Sequence, residues 1–390
     1  MESKKDAFND KSISVPFVIP NVTKEDKNVV LKALDSVLLT DGPKLREFEK
    51  RFSKYTGSSF AIGVSNATSA LMLSLQSCGI KKNDEVIVPN LTFVATASAV
   101  LHCGATPVLA DVEKDTLNLD PLSVKKNISK RTKAIIPVHF AGRICKINEI
   151  LKIAKKNNLK VIEDCAHALG SRLDKKHVGT FGDVGCFSFY PTKNFTTIEG
   201  GMVITNTKKT SEYISRSRNH GITRSLDNRF SSGKPWDYDI VEPGFNFRLD
   251  EIRSSLGLNQ LKRLDQLNKL RKKASEYYNE QLKKINGIIV PPKSNKNENS
   301  YHLYIVRVSK DSSISRDVLF EKLLKSGIRT SVHYKPLSKF LLFKKMAKHY
   351  GKLENSESLY DEILSLPLYP TITKSKQNHV INTIKISLDN

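Results

Sequence analysis

From about residue 60 the chain alternates short runs of β-branched and aliphatic residues with stretches whose apolar positions recur every three to four residues. The runs at 60–65, 85–89, 107–112, 134–139, 161–164, 185–189 and 202–205 are predicted strands, with helices between them, for instance at 69–77 and 148–156. Alternation of this kind predicts an α/β fold with a mostly parallel central sheet and helices on both faces, because each parallel neighbour needs a crossover that covers the sheet. Sheets of this type place their ligands at the carboxyl ends of the strands. After Arg248 the pattern changes. Residues 249–284 predict one or two long amphipathic helices, and 285–299, with Gly287, Pro291 and Pro292, predict a loop. A strand at 302–308, a helix at 317–324 and a second strand at 328–334 then make a smaller C-terminal α+β unit. The expected division is a large unit over 1–255 and a small one over 256–390. The first thirty residues carry a weaker pattern and are expected to form an arm on one unit or on a partner chain. No repeat of 20–50 residues is present, which excludes solenoids and propellers.

Composition narrows the class. With 39% hydrophobic and 26% charged residues, the 390-residue chain has ordinary globular usage. No apolar run reaches the roughly 20 residues of a membrane span, and the polar start MESKKDAFNDKS lacks a signal-peptide core. A cytoplasmic protein with no membrane partner is expected. The five cysteines are scattered, which argues against a disulfide framework or a metal site. The net charge of +23 fits either a polyanion partner or a surface rich in lysine. Basic residues are spread over the whole chain, without RNP-like aromatic strands or zinc-finger spacing, so no nucleic-acid partner is expected. A basic surface would still attract an anionic small substrate such as a nucleotide diphosphate.

Candidate chemistry gathers at the predicted strand ends. Lys193 follows the buried run 185–189 and precedes Glu199-Gly200-Gly201. A lysine there either sits in a surface loop or is buried, and burial lowers its pKa and frees the neutral amine to attack a carbonyl. Asp164 and His167 follow the run 161–164. They would cap and line a helix, or the carboxylate would pair with a protonated pyridine nitrogen while the imidazole bonds a neighbouring oxygen. Val64-Ser-Asn66-Ala-Thr68 leads from a strand into a helix start, which is either a plain cap or an anion site built from free N–H groups. Ser188 would offer a second hydroxyl to the same anion. Phe93, just after 85–89, is either core or a platform for a flat ring.

Taken in order, these segments resemble the aspartate-aminotransferase-like superfamily of pyridoxal-phosphate (PLP) enzymes, and within it the DegT-type nucleotide-sugar aminotransferases. The matching text includes Thr40-Asp-Gly-Pro43, Asn66-Ala-Thr-Ser-Ala70, Thr92-Phe-Val-Ala-Thr96, Glu163-Asp164 and Gly182-Asp-Val-Gly-Cys-Phe-Ser-Phe-Tyr-Pro-Thr-Lys-Asn194. It continues with Glu199-Gly-Gly201, Arg218-Asn-His-Gly221, Gly244-Phe-Asn-Phe-Arg-Leu-Asp-Glu251, Val332-His-Tyr334 and Leu366-Pro-Leu-Tyr-Pro370. The resemblance implies the PLP-dependent transferase fold. It implies that Lys193 carries PLP covalently, Asp164 holds the pyridine nitrogen and Phe93 stacks on the ring. Ala67, Thr68 and Ser188 would bind the phosphate and His167 would lie near O3′. Asn246 would reach a neighbouring subunit's cofactor, and Arg248 and His333 would face substrate, so a homodimer with shared active sites is expected. The implied reaction moves an amino group from an amino acid, glutamate in such enzymes, to a keto group on a nucleotide-linked sugar. A keto-cyclitol substrate and a non-catalytic PLP-binding regulator are the alternatives. Two positions bear on this. After Tyr334 the chain reads Lys-Pro-Leu-Ser-Lys, where relatives carry another histidine. A related dehydratase branch has histidine in place of the lysine, and Lys193 disfavours that chemistry.

Overall fold

The computed structural model describes residues 14–224, 234–295 and 297–389. Its larger sheet contains β1 (Phe60–Val64), β2 (Glu85–Pro89), β3 (Thr106–Ala110), β4 (Thr132–Ile135), β5 (Lys160–Asp164), β8 (Val184–Ser188) and β9 (Gly201–Thr205). The short hairpin β6 (Arg172–Leu173) and β7 (Lys176–His177) stands apart. The strand order is β1-β9-β8-β5-β4-β2-β3, parallel throughout except that β9 runs against both of its neighbours. Strands covered on both faces read as unbroken apolar runs, as β2 and β9 do.

The crossovers are α3 (Ala67–Ser77), α4 (Val94–His102), α5 (Pro121–Lys126), α6 (Ile147–Lys156) and α7 (Lys208–Ser217), and α1 (Lys24–Leu34) and α2 (Pro43–Thr56) precede them. One core packs α3 and α4 on the sheet through Leu71, Leu73, Val100 and Ile162. A second, on the opposite side, joins Phe48 and Phe52 of α2 to Phe187 and Phe189.

Two helices follow, α8 (Glu251–Leu261) and α9 (Leu264–Leu282), so the long amphipathic stretch resolves into a pair. Leu264 belongs to the core beneath the larger sheet, while Ala274, Tyr278 and Leu282 pack under a smaller antiparallel sheet. That sheet is β10 (Ile288–Ile289), β11 (Tyr304–Val308) and β12 (Ile363–Leu366), backed by α10 (Arg316–Lys325) and by α13 (Lys374–Asp389). Between α10 and α13 lie the short helices α11 (Leu341–Met346) and α12 (Glu354–Leu359).

The strand expected at 328–334 does not form. Ile328 makes a single bridge to Val15 and Ser331 one to Ser365, after which the chain turns toward the larger sheet, and Tyr334 packs against Phe140 there. The third strand of the smaller sheet is β12 instead. The arm is explained by the same bridge: Val15 pairs beside Ile328, and Phe17 stacks on His333 with ring centroids 5.5 Å apart. Among the described residues no helix is long and apolar enough to cross a membrane.

Candidate active site

All the parallel strands of the larger sheet end at one edge, and the residues singled out from sequence cluster there. β5 ends in Asp164, which is 5% exposed. Its carboxylate accepts from the Thr96 hydroxyl at 2.9 Å and from the Ala166 N–H at 3.1 Å. Burial pushes the carboxyl's pKa up, against those two donors and the nearby Lys193 charge, which pull it down. Thr96 stands in the first turn of α4, so that crossover delivers the hydroxyl to the carboxylate. Its strand neighbour Glu163 points the other way and is saturated: Gly179, Phe181 and Gly182 donate backbone N–H groups at 2.7–2.8 Å and His139 lies at 2.9 Å. His139, Glu163 and Cys165 approach each other closely enough to hold a metal. Both oxygens of the Glu163 carboxylate are already used, and that residue pins the 179–182 loop.

Lys193 lies in the loop that follows β8. Its N–H donates to the Tyr190 carbonyl, and Asn194 beside it donates to Asn268 on α9 and to the Ser300 carbonyl at 2.6 and 2.7 Å. The loop is therefore fastened on both sides of the lysine. Burial lowers the Lys193 amine to about 8, with Asp164 opposing the shift. The residue keeps partial solvent access and lines a narrow crevice of about 30 Å³ with Phe17, His302, His333 and Tyr334. A larger cleft of about 660 Å³ lies beyond Phe140 and contains none of the singled-out residues.

His167 is buried, and its Nδ1 accepts from the Ala141 N–H at 3.3 Å. That bond leaves the ring proton on Nε2, which faces the Tyr334 hydroxyl at 3.2 Å. Burial, with the Lys193 charge adding to it, lowers the imidazole's pKa well below its ordinary value, so the ring is neutral. Phe93 is the N-cap of α4 and is 54% exposed, with its ring 5.8 Å from that of Tyr334. It is not core. One face of the ring is open at the site.

Ala67 and Thr68 open α3, whose N-cap Asn66 engages Ser69 and leaves the first two N–H groups without an intrahelical acceptor. Ser188 at the end of β8 and Val64 at the end of β1 both pair with Gly201 of β9. A side chain on Gly201 would stand 2.6 Å from the Asn66 backbone, so glycine keeps open the space between the helix start and the serine. Asn246 and Arg248 lie on an extended segment bonded to Ser65, Ser217 and Arg218, next to the same helix start. Asn246 is exposed, and Arg248 donates to the Asn219 side chain. His333 bonds Ser365 at 2.9 Å through Nδ1, and burial takes its pKa down to about 3. Of the loop at 222–239, residues 225–233 lie outside the described residues; Trp236 is 74% exposed.

The structure thus brings Lys193, Asp164, His167, Phe93 and His333 around Tyr334, with Ala67 and Thr68 at the start of α3 and Ser188 at the end of β8. Thr96, Tyr334, His302 and Phe17 join them without having been singled out. Thr96 had a usable signal, a hydroxyl one helical turn after Phe93. Phe17 and His302 had none, because their place depends on the arm and the smaller sheet.

An exposed aromatic face, free N–H groups, a serine hydroxyl, a buried carboxylate and an amine of lowered pKa suit a phosphorylated pyridine aldehyde. Comparison with known proteins agrees. The DegT/DnrJ/EryC1/StrS aminotransferase family matches residues 20–385. The spore coat polysaccharide biosynthesis protein SpsC of Bacillus subtilis is 36% identical over 377 residues, covering 95% of this chain and 96% of its own. Among solved structures, the putative sugar aminotransferase Spr1654 of Streptococcus pneumoniae in its PMP-form superposes with a TM-score of 0.90 at 31% identity, covering 96% of this chain and 99% of its own. Its PLP-form matches at 0.89. Helicobacter pylori PseC, an aminotransferase involved in the biosynthesis of pseudoaminic acid, gives 0.89 at 32% identity over 96% of this chain and 99% of its own. With the family matching residues 20–385 and the fold shared over 96% of its length, this chain belongs to the DegT/DnrJ/EryC1/StrS family of PLP-dependent sugar aminotransferases.

Proposed function

We propose that the protein transfers an amino group from glutamate to a keto group of a nucleotide-linked sugar, and that the amino sugar feeds polysaccharide assembly. The observation that carries this reading is the buried pair of Lys193 and Asp164 beside the open start of α3. Bound PLP supplies a ring that withdraws electrons from the carbon bearing the amine. The protein's own groups hold and steer that chemistry. The N–H groups of Ala67 and Thr68 and the Ser188 hydroxyl hold the phosphate. Phe93 covers one ring face, and Asp164 keeps the ring nitrogen protonated. His167, neutral and fixed by Ala141 and Tyr334, orients the oxygen beside the attachment carbon. With its pKa near 8, Lys193 is neutral in roughly a tenth of molecules at pH 7 before the cofactor arrives. In its neutral form the same amine would serve as the base that takes and returns the proton at the substrate carbon. Arg248 offers a planar fork to a carboxylate or phosphate, and His333 lies across the crevice from the lysine. The larger unit, 1–255, carries the cofactor and the smaller, 256–390, completes the substrate wall. Asn246 and Arg248 serve the neighbouring subunit of a homodimer.

Names of relatives support the substrate class: SpsC is a polysaccharide biosynthesis protein and PseC acts in pseudoaminic acid biosynthesis. The test is a panel of keto-sugar nucleotides incubated with glutamate, following 2-oxoglutarate. Borohydride reduction of the PLP-loaded protein accompanies it and is expected to fix the phosphopyridoxyl group on Lys193. Release of 2-oxoglutarate with keto-cyclitols alone would replace the substrate class, and labelling at another lysine would remove the central assignment.

A further inference from the structure

We propose that residues 335–352 form a docking surface for anionic lipid headgroups, through which the protein rests on a membrane surface. This segment carries six lysines, at 335, 339, 344, 345, 348 and 352, and no acidic residue. At its centre α11 is anchored from below by Phe343, which is 3% exposed and packs in the core shared with α3 and α4. The opposite side of α11 is apolar yet uncovered: Leu341 is 79%, Leu342 52% and Met346 51% exposed. Leu342 and Met346 are one helical turn apart, as are Leu341 and Lys345, so leucine, methionine and lysine share one outward face.

Nearby acidic groups offset part of the segment's charge, at Lys348 and Lys352, and Glu357 accepts from Ser338 within it, but none of them pairs with the two lysines of α11. Glu85 is engaged by Lys348 and Arg131, and Glu354 by Lys352. Lys344 and Lys345 are exposed and form no ion pair with any described residue. The face extends onto α5, because Tyr350 donates to Asn127 at 2.8 Å and Gly351 lies against Lys126. The exposed Lys126 thereby lies beside this end of the segment.

The occupant follows from this chemistry. Leucine and methionine side chains standing out between lysines gain by entering the boundary between headgroups and acyl chains. The flexible lysine stems let their ammonium groups stay at the phosphate level. Anionic headgroups satisfy the charge, and the effect adds with each lysine near the surface. A second copy meeting this face with its own would set lysines against lysines. Nucleic acid would use the lysines but gives the leucines and the methionine nothing to enter. The absence of a spanning helix does not bear on contact of this kind.

The test is cosedimentation of the PLP-loaded protein with vesicles of phosphatidylcholine alone and of equal parts phosphatidylcholine and phosphatidylglycerol, at near-physiological salt. Binding to the anionic vesicles is expected to exceed binding to the neutral ones at least tenfold. The double variants L341D/L342D and K344E/K345E alter only exposed side chains, so each is expected to keep the parent's thermal midpoint and to lose about tenfold in vesicle binding. Absence of binding to anionic vesicles would overturn the proposal. So would leucine variants that bind like the parent, since the net charge alone would then be acting. A larger assembly in sedimentation velocity that L341D/L342D abolishes would assign the face to a second copy. Duplex DNA held more tightly than vesicles, through Lys344 and Lys345, would assign it to nucleic acid.

Discussion

Burial and a single charge set opposing demands at Lys193. Burial drives its amine down to about 8, while the Asp164 carboxylate beside it holds the value up. Only the neutral amine attacks an aldehyde, so the rate at which cofactor-free protein captures PLP should rise with pH and level off above about 8. Asp164→Asn removes the charge that raises the amine's pKa, so the midpoint moves to lower pH and capture at pH 7 becomes faster. Turnover in the same variant should fall by a hundredfold or more, about 3 kcal/mol in the barrier, since the ring nitrogen loses its counter-charge. Stopped-flow absorbance for capture and a 2-oxoglutarate assay for turnover read the two effects in opposite directions. Lys193 and Asp164 stand out in the sequence because Asp164 ends one apolar run and Lys193 follows another, but each position alone also fits a loop or a helix cap, and their roles came from the resemblance. Thr96 and Tyr334 were quoted only as matching text. The spacing of Thr96 one turn after Phe93 is visible in the sequence, but its bond to Asp164 and the place of Tyr334 depend on α4 and the 331–334 turn arriving beside β5.

Elements were legible where burial is two-sided. The strands of the larger sheet fell within a few residues of their expected places, since covered strands are continuous apolar runs. The strand expected at 328–334 was misread because Ile328 and Val332 alternate with polar residues as strand residues do. A bridge at Ile328 and another at Ser331 are all that survive of that ladder. Glu251 shows another limit of local reading. It looks like an ordinary first-turn acid of α8, yet it is fully buried and accepts the N–H groups of Gly42, Lys44 and Leu45, capping α2 from more than two hundred residues away. Glu251→Ala leaves those donors without an acceptor and removes a negative charge from the positive end of α2. The expected cost is about 3 kcal/mol, seen as a lower denaturant midpoint. Glu251→Gln, which keeps one acceptor oxygen, should recover part of it.

For the molecule as a whole, several apolar side chains stand exposed: Val37 is 99% exposed, Ile198 61%, Ile240 59% and Val241 57%, surface of the kind that the proposed homodimer would cover. If Arg248 serves the neighbouring subunit, Lys193→Ala and Arg248→Ala proteins, each inactive, should regain activity when unfolded together and refolded as mixed dimers. Symmetry then gives each mixed dimer one doubly altered site and one intact site. Mixtures that stay dead would place Arg248 in its own chain's site. The amino-terminal arm has a practical consequence for such experiments. Val15 is paired beside Ile328, and Phe17 lies on His333 in the wall of the lysine crevice. A protease that trims past residue 17 would therefore remove part of the wall of the lysine crevice.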